Sequence, residues 1–261
     1  MAKEITDIRE YQRTLTLIFL KAAKNVLGDA RVRVQNPQNK AIFADVEGMD
    51  ELTTNQVNTI RGLMEEYIKR DMPIEMVMYE REELKEKLTS LGYTEKVRLM
   101  DRAKGIGKVP VFQLGDYMNF FYGTMAPSTG SVKLFDLKKY KRGVLIRFPD
   151  PDDMTRFPEY RDDEKLYDAF LEAEQWNDLL GISYLADLND KILSGNVRDM
   201  ILLSEALHEK KIAEIADEVK KSGRKIVLIA GPSSSGKTSF ANRLCIQLRV
   251  IGMKPLYMGT D

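Results

Sequence analysis

The residues Gly231-Pro232-Ser233-Ser234-Ser235-Gly236-Lys237-Thr238 directly follow the apolar run Ile226-Val227-Leu228-Ile229-Ala230. Gly-x-x-x-x-Gly-Lys-Thr is the pattern of a phosphate-binding loop set between a strand and a helix. Gly231 and Gly236 permit backbone geometry that a side chain would block. The loop N–H groups, from Gly231 to Ser239, are expected to point inward as an anion nest at a helix N-terminus. Lys237 can reach the outer phosphates of ATP, and the Thr238 hydroxyl can sit on Mg²⁺.

Such a loop needs a strand before it and a helix after it. Ile226–Ile229 is apolar and mostly β-branched, as a buried strand should be. Residues 238–250 read as a helix with Phe240, Leu244, Leu248 and Cys245 inward. Lys254-Pro255-Leu256-Tyr257-Met258-Gly259-Thr260-Asp261 reads as a second strand ending on an acidic residue. Two strands and one helix open a nucleotide-binding domain without its remainder.

Further upstream, residues 7–27 read as an amphipathic helix stopped by Gly28. Residues 31–35 and 41–46 read as a hairpin around Asn36-Pro37-Gln38-Asn39. A long helix follows to about Arg70, capped by Thr53 or Thr54. Residues 73–79 read as a strand and 80–91 as a helix ended by Gly92. Strands are expected near 95–99, 109–114, 132–138 and 144–148. The Pro- and Asp-rich residues 149–165 read as a surface connection. Helices are expected over 164–180, which carries Trp176 as a core residue, and over 187–194. Another is expected over 197–221, with an inward stripe of Ile201, Leu202, Ala206, Leu207, Ile212, Ile215 and Val219. His208 lies on that helix beside Glu205 and Glu209, as a surface ion-pairing residue.

Composition removes whole classes of function. Lys+Arg and Asp+Glu balance at 40 each, so no global field favours nucleic acid or acidic lipid. One cysteine and one histidine exclude internal disulfides, Cys-cluster zinc sites and a His triad. The first residues lack a signal-peptide core, so the expected location is the cytoplasm, with no membrane partner.

Residues 225–261, through the Gly231–Thr238 loop, the helix and the second strand, resemble the start of the uridine kinase and phosphoribulokinase group of P-loop kinases. The resemblance implies ATP and Mg²⁺ as cofactors and a nucleoside substrate. It implies Lys237 and Asp261 as catalytic residues, with Asp261 taking the proton of the nucleoside 5′-hydroxyl. Without a lid or a nucleoside pocket, the chain is expected to be a truncated kinase with little turnover of its own.

Residues 10–148 resemble the second additional domain of threonyl-tRNA synthetase, which edits mischarged tRNA. The best-matched stretch runs from Gly115-Asp116-Tyr117-Met118-Asn119-Phe120-Phe121-Tyr122-Gly123 to Thr124-Met125-Ala126-Pro127-Ser128-Thr129-Gly130. Where the synthetases carry a Cys and a His four apart, this chain has Phe121 and Met125. Where they carry His-x-x-x-His, it has Tyr11 and Leu15. These four supply no zinc ligand set, so no zinc site is expected. The domain is then expected to bind an RNA end or a nucleotide effector; a vestigial editing hydrolase is argued against by the lost ligands. Lys133, Lys138, Lys139, Lys141 and Arg142 hint at a basic patch for such a partner. The synthetase-like and kinase-like modules are joined in a known bacterial family of nucleoside kinases, which this chain resembles.

The expected architecture is therefore an α+β domain over 1–148, a helical connector over 149–223, and the first β-loop-α-β of an α/β P-loop NTPase domain over 224–261. The C-terminal segment is also expected to self-associate into a homo-oligomer, because its strands lack neighbours.

Overall fold

The computed structural model describes residue 5, residues 7–102, residue 105 and residues 107–259. The chain divides into two compact units, Met1–Leu171 and Glu172–Asp261.

The first unit is α+β. Helix α1 (Ile8–Leu27) starts where the Asp7 side chain accepts the Arg9 N–H, and stops at Gly28, whose φ of 63° ends the helical path. Strands β1 (Val32–Gln38) and β2 (Ala41–Val46) form a hairpin. Helix α2 (Thr54–Lys69) opens with a capping box between Thr53 and Gln56, which settles the cap on Thr53. Strand β3 (Glu75–Glu80), helices α3 (Arg81–Ser90) and α4 (Thr94–Arg102), and strands β4 (Lys108–Leu114) and β5 (Tyr117–Asn119) come next. A 3₁₀ turn at Thr129–Ser131 precedes strands β6 (Asp136–Tyr140) and β7 (Gly143–Arg147). Helix α5 (Glu164–Leu180) begins within this unit.

Two antiparallel sheets result, ordered β1-β2-β7-β6 and β3-β4-β5. The period-2 alternation of β2 and β7 explains how the larger sheet is covered on both faces. Ala44, Val46, Val144 and Ile146 join the main core with Leu15, Phe19 and Ile18 of α1 and Ile60 and Met64 of α2. Ala41, Phe43 and Leu145 point the other way, into a second cluster with Tyr140 and Tyr167. The smaller sheet sends Tyr79 and Val111 toward Leu84, Leu88 and Met100 of α3 and α4, while Phe112 and Leu114 join the main core.

Several expectations need correction. Residues 95–99 are not a strand; they lie in α4, where Val97 and Met100, three apart, pack against Tyr79 and Leu84. The expected strand at 132–138 begins only at Asp136, because the N–H groups of Lys133 and Leu134 are taken by the Tyr11 hydroxyl and cannot join a ladder. Strand β1 runs on through Pro37 to Gln38 with a register irregularity, as an edge strand allows. The hairpin turn is then Asn39-Lys40, both at positive φ. Strand β5 escapes sequence reading because it has only three residues. Residues 149–163 do more than connect. Tyr160 packs on the second cluster, the Lys138 ammonium lies 3.4 Å from its ring centroid, and the Arg147 guanidinium lies 4.6 Å from that of Phe157.

The second unit holds the rest of α5, then α6 (Leu185–Leu193), α7 (Val197–Ser222) and α8 (Lys237–Val250). Its core is the seam between α7 and α8: Ile212, Ala216, Leu244 and Leu248, with Ile215, Val219 and Phe240 beside them. Ile201, Leu202 and Ala206 are exposed, so the inward stripe of α7 occupies only its second half. Trp176 is half-buried rather than core. The expected strands at 226–229 and 256–258 do not form. Neither has a partner ladder, and Leu228 and Leu256 are 90% and 82% exposed. The helical half of the expected β-loop-α-β is present, without its sheet.

Candidate functional site

The phosphate-loop residues lie in the second unit. Gly236, at φ 81°, is the left-handed residue that starts α8, and Ser234 is also left-handed, at φ 60°. A Cβ on Gly231 would lie 2.8 Å from Ser235 Oγ, so the loop folds back closely on its first glycine. The Ser235 N–H donates to the Pro232 carbonyl at 3.4 Å. Lys237 Nζ donates to the same carbonyl at 2.6 Å, drawing the ammonium over the loop. Thr238 and Ser239 stand exposed in the first turn of α8, and Pro232 and Ser233 are exposed before it. Asp261 lies outside the described residues. His208 is exposed, and the neighbouring Glu209 turns to α8, accepting from Arg243 at 2.5 Å and Gln247 at 2.6 Å. Those contacts hold the Glu209 carboxyl below its ordinary range, Gln247 first and then Arg243.

In the first unit, side chains of α1 tie down the backbone of the segment after β5. Arg13 Nε donates to the Thr124 carbonyl at 2.7 Å, and the Ala126 N–H donates to Thr14 Oγ1 at 3.0 Å. Tyr11, Leu15, Phe121 and Met125 all pack in or against the same core. The Tyr11 hydroxyl donates to the Leu134 carbonyl at 2.8 Å and accepts from the N–H groups of Lys133 and Leu134 at 3.0 and 2.8 Å. Burial pushes its pKa up, and the backbone bonds pull it part of the way back. Leu15 is fully buried, and the Phe121 ring meets Phe112 edge-on at 6.5 Å. One phenol fixed by three backbone groups, two hydrocarbon side chains and a thioether do not fit zinc. Among the described residues, no group of three or more His, Cys, Asp or Glu side chains is placed to hold a metal ion.

The ending Pro127-Ser128-Thr129-Gly130 is structural. Thr129 Oγ1 donates to the Tyr67 carbonyl at 2.6 Å and accepts the Met72 N–H at 2.8 Å. The Gly130 N–H donates to Asp71 Oδ1 at 2.9 Å, and a Cβ on Gly130 would overlap that carboxylate. The motif therefore latches the end of α2 to the core. Asp71 is held below the ordinary carboxylate range by the Ser128 side chain and the Gly130 N–H.

Most of the expected basic patch is engaged by neighbouring groups. Lys138 lies over Tyr160, Lys139 pairs with Glu51 at 2.9 Å, Lys141 with Glu164 at 2.6 Å, and Arg142 with buried Asp45 at 2.6 Å. A different cation stands out, one that sequence reasoning missed. Lys96 Nζ donates to Asn119 Oδ1 at 2.8 Å, with the Tyr93 ring centroid at 4.3 Å and that of Phe120 at 5.6 Å. Burial pushes its pKa down to about 8, against a smaller upward pull from Glu95. Asn119 Nδ2 donates to the Tyr117 hydroxyl at 3.1 Å, and burial holds that phenol far above its ordinary value. Reading 95–99 as a strand hid this group, because the first turn of α4 brings Lys96 back over Tyr93, the residue just before the helix. The exposed ring of Tyr122, 98% accessible, lies two residues past Phe120.

Two small antiparallel sheets with helices packed on them define a mixed α+β module. No protein-family profile matches the chain. It is similar to threonine–tRNA ligases: 24% identical over 164 residues to that of Halorhodospira halophila, covering 60% of this chain and 26% of the ligase. It is 28% identical over 127 residues to that of Symbiobacterium thermophilum, covering 49% and 20%. To threonine–tRNA ligase 1 of Bacillus subtilis it is 25% identical over 120 residues, covering 46% and 19%. The chain thus spans about a quarter or less of the relatives it matches. Each matched stretch is longer than everything that follows Phe148, so each reaches into the first unit. For residues 231–238 the chain offers the loop pattern and its local geometry alone. Among the described residues, no helix is long and apolar enough to cross a membrane.

Proposed function

We propose that the first unit is a nucleotide- or RNA-binding module related to the tRNA-editing region of threonine–tRNA ligases and stripped of hydrolytic chemistry. One observation carries the reading: a chain similar to those ligases has Tyr11, Leu15, Phe121 and Met125 in its core where the resemblance calls for metal ligands. With no thiolate or imidazole there, no metal-bound water is available to attack an ester. What remains is a fold able to hold an RNA 3′ end. The test is fluorescence anisotropy of the full chain with a labelled RNA that has a single-stranded 3′ end. The same RNA with that end closed in a duplex serves as control. Saturable binding of the open end, with no hydrolysis of mischarged tRNA, is the expected result. Absence of binding, or ester hydrolysis above the buffer rate, would overturn it.

The loop geometry favours a second role for the second unit. Left-handed Gly236 and the Lys237 ammonium drawn over the loop support phosphate binding, with ATP and Mg²⁺ as ligands and Thr238 on the metal. In that role a nucleoside 5′-hydroxyl would be the acceptor and Asp261 its base. Lys237→Ala should weaken ATP binding at least tenfold while leaving RNA binding unchanged. Equal ATP affinity in the two proteins would remove this role.

A further inference from the structure

A phosphate loop takes its shape from whatever fixes its two ends. In the expected β-loop-α-β a paired strand would fix the first end, and among the described residues 226–229 pair with nothing. Here α7 stands at both ends. It stops at left-handed Gly223, the chain runs on through the loop, and α8 starts at Gly236 and packs back on α7. Holding α8 against α7 closes residues 224–235 between two anchored ends and narrows the conformations open to them.

The apolar seam of Ile212, Ala216, Leu244 and Leu248 gives adhesion but little register, because hydrophobic attraction is non-directional. Direction comes from Glu209. Its two carboxylate oxygens are divided between Arg243 Nη1 at 2.5 Å and Gln247 Nε2 at 2.6 Å, one turn apart on α8. Displacing α8 by one residue, about 1.5 Å along its axis and about 100° around it, would break both bonds. Lys220 Nζ ties the far end, donating to the Ile251 carbonyl at 2.7 Å. Arg243 lies about 9 Å along the axis from Lys237, and Ile251 about 21 Å.

We propose that Glu209 is a positioning residue for the phosphate loop: it locks α8 on α7 through Arg243 and Gln247, and so sets where Lys237, Thr238 and the loop N–H groups stand. This rests on the phosphate-loop reading of the second unit and adds the residue outside the loop that governs it. Glu209 acts through α8 and not on the ligand. A loop already shaped for phosphate has less ordering to undergo on binding, so loosening the lock lowers affinity.

The experiment compares the unaltered full chain with Glu209→Ala, with Lys220→Met, and with the exchange Glu209→Arg plus Arg243→Glu. ATP with Mg²⁺ is titrated by calorimetry, and peptide-resolved amide hydrogen exchange reads residues 231–241 without ligand. Glu209→Ala should weaken ATP about fivefold, the size of one net hydrogen bond, and speed exchange in the loop and the first turn of α8. Lys220→Met removes a tie of the same helix at its other end and should leave both readings unchanged. The exchange should restore both to within about twofold, since the ion pair is re-formed and the Gln247 amide can accept as well as donate. Unchanged or tighter ATP binding in Glu209→Ala would overturn the proposal, and so would an equal loss in Lys220→Met; the phosphate-loop reading would still stand. If the unaltered chain binds no ATP, that reading fails, and hydrogen exchange alone decides whether Glu209 positions the loop.

Discussion

Tyr11 shows what replaced the chemistry suggested by the resemblance. Its hydroxyl serves two N–H donors and one carbonyl of the stretch between the 3₁₀ turn and β6, and its ring lies in the main core. That single group takes the place of a ladder the backbone there does not make. Tyr11→Phe keeps the ring and strands three polar groups in a part-buried site. The expected loss is about 2–3 kcal/mol of unfolding free energy, since unsatisfied buried groups cost more than the bonds gain. Urea denaturation at neutral pH measures it, and a loss under 0.5 kcal/mol, the level of a neutral surface change, would mean that water serves those groups. Legibility differed sharply among residues. The missing ligands at Tyr11, Leu15, Phe121 and Met125 could be read directly, because residue type alone excludes zinc. The structural task of Thr129 could not be read, since a Thr in a Pro-Ser-Thr-Gly run looks the same whether it meets a ligand or latches a helix. Lys96 was hidden by an error one level up, in the element that carries it.

That element is α4. Lys96-Val97-Arg98-Leu99 alternates polar and apolar, so it satisfies a strand template over four residues. The helix prevails because Val97 and Met100 can both reach the cluster around Leu84 and Leu88. Short windows fail in this way, whereas the long helices α1, α2 and α7 were legible from caps and periodicity. The strap after β7 was misjudged for a related reason: Pro and Asp mark a loop but do not tell whether its aromatics find a surface. Here they do. Phe157 lies against Arg147, Tyr160 packs on the second cluster, and the helix that the strap leads into, α5, seats Tyr167 there: Phe43 meets Tyr140 and Tyr167 edge-on at 6.3 and 5.7 Å, and Tyr140 meets Tyr167 at 5.6 Å. Tyr167→Ala should therefore cost about 3–5 kcal/mol, the range for a buried aromatic lost from a core. A linker residue would cost almost nothing. Thermal unfolding followed by near-ultraviolet circular dichroism distinguishes the two, and an unchanged midpoint would show that the start of α5 is dispensable to the sheet it covers.

At the scale of the whole molecule, the two units satisfy their apolar surface unequally. In the first, both faces of the larger sheet are covered. In the second, two runs with strand chemistry remain bare: Ile226 is 75% exposed and Met258 78%, alongside Leu228 and Leu256. Such runs are apolar and uncharged from 226 to 230, and a chain that displays them offers unpaired N–H and C=O groups together with apolar side chains. Water does not favour that arrangement, since each exposed Leu or Ile forgoes about 1.5–3 kcal/mol that burial would return. The sequence reads these runs as strands and the structure gives them no ladder, because pairing is a property of the assembled sheet and not of the run alone. The expected outcome is concentration-dependent self-association through these segments. Light scattering of the full chain across a hundredfold range of concentration should show mass rising with concentration. Leu228→Lys with Leu256→Lys should hold it at one chain per particle, because each change places a charge within a would-be strand pair. The unfolding midpoint of the first unit should not move, since Phe43, Tyr140 and Tyr167 lie in another core. If the unaltered chain scatters as a monomer throughout, and an apolar dye does not bind it, the bare segments are tolerated in water and this account of the second unit fails.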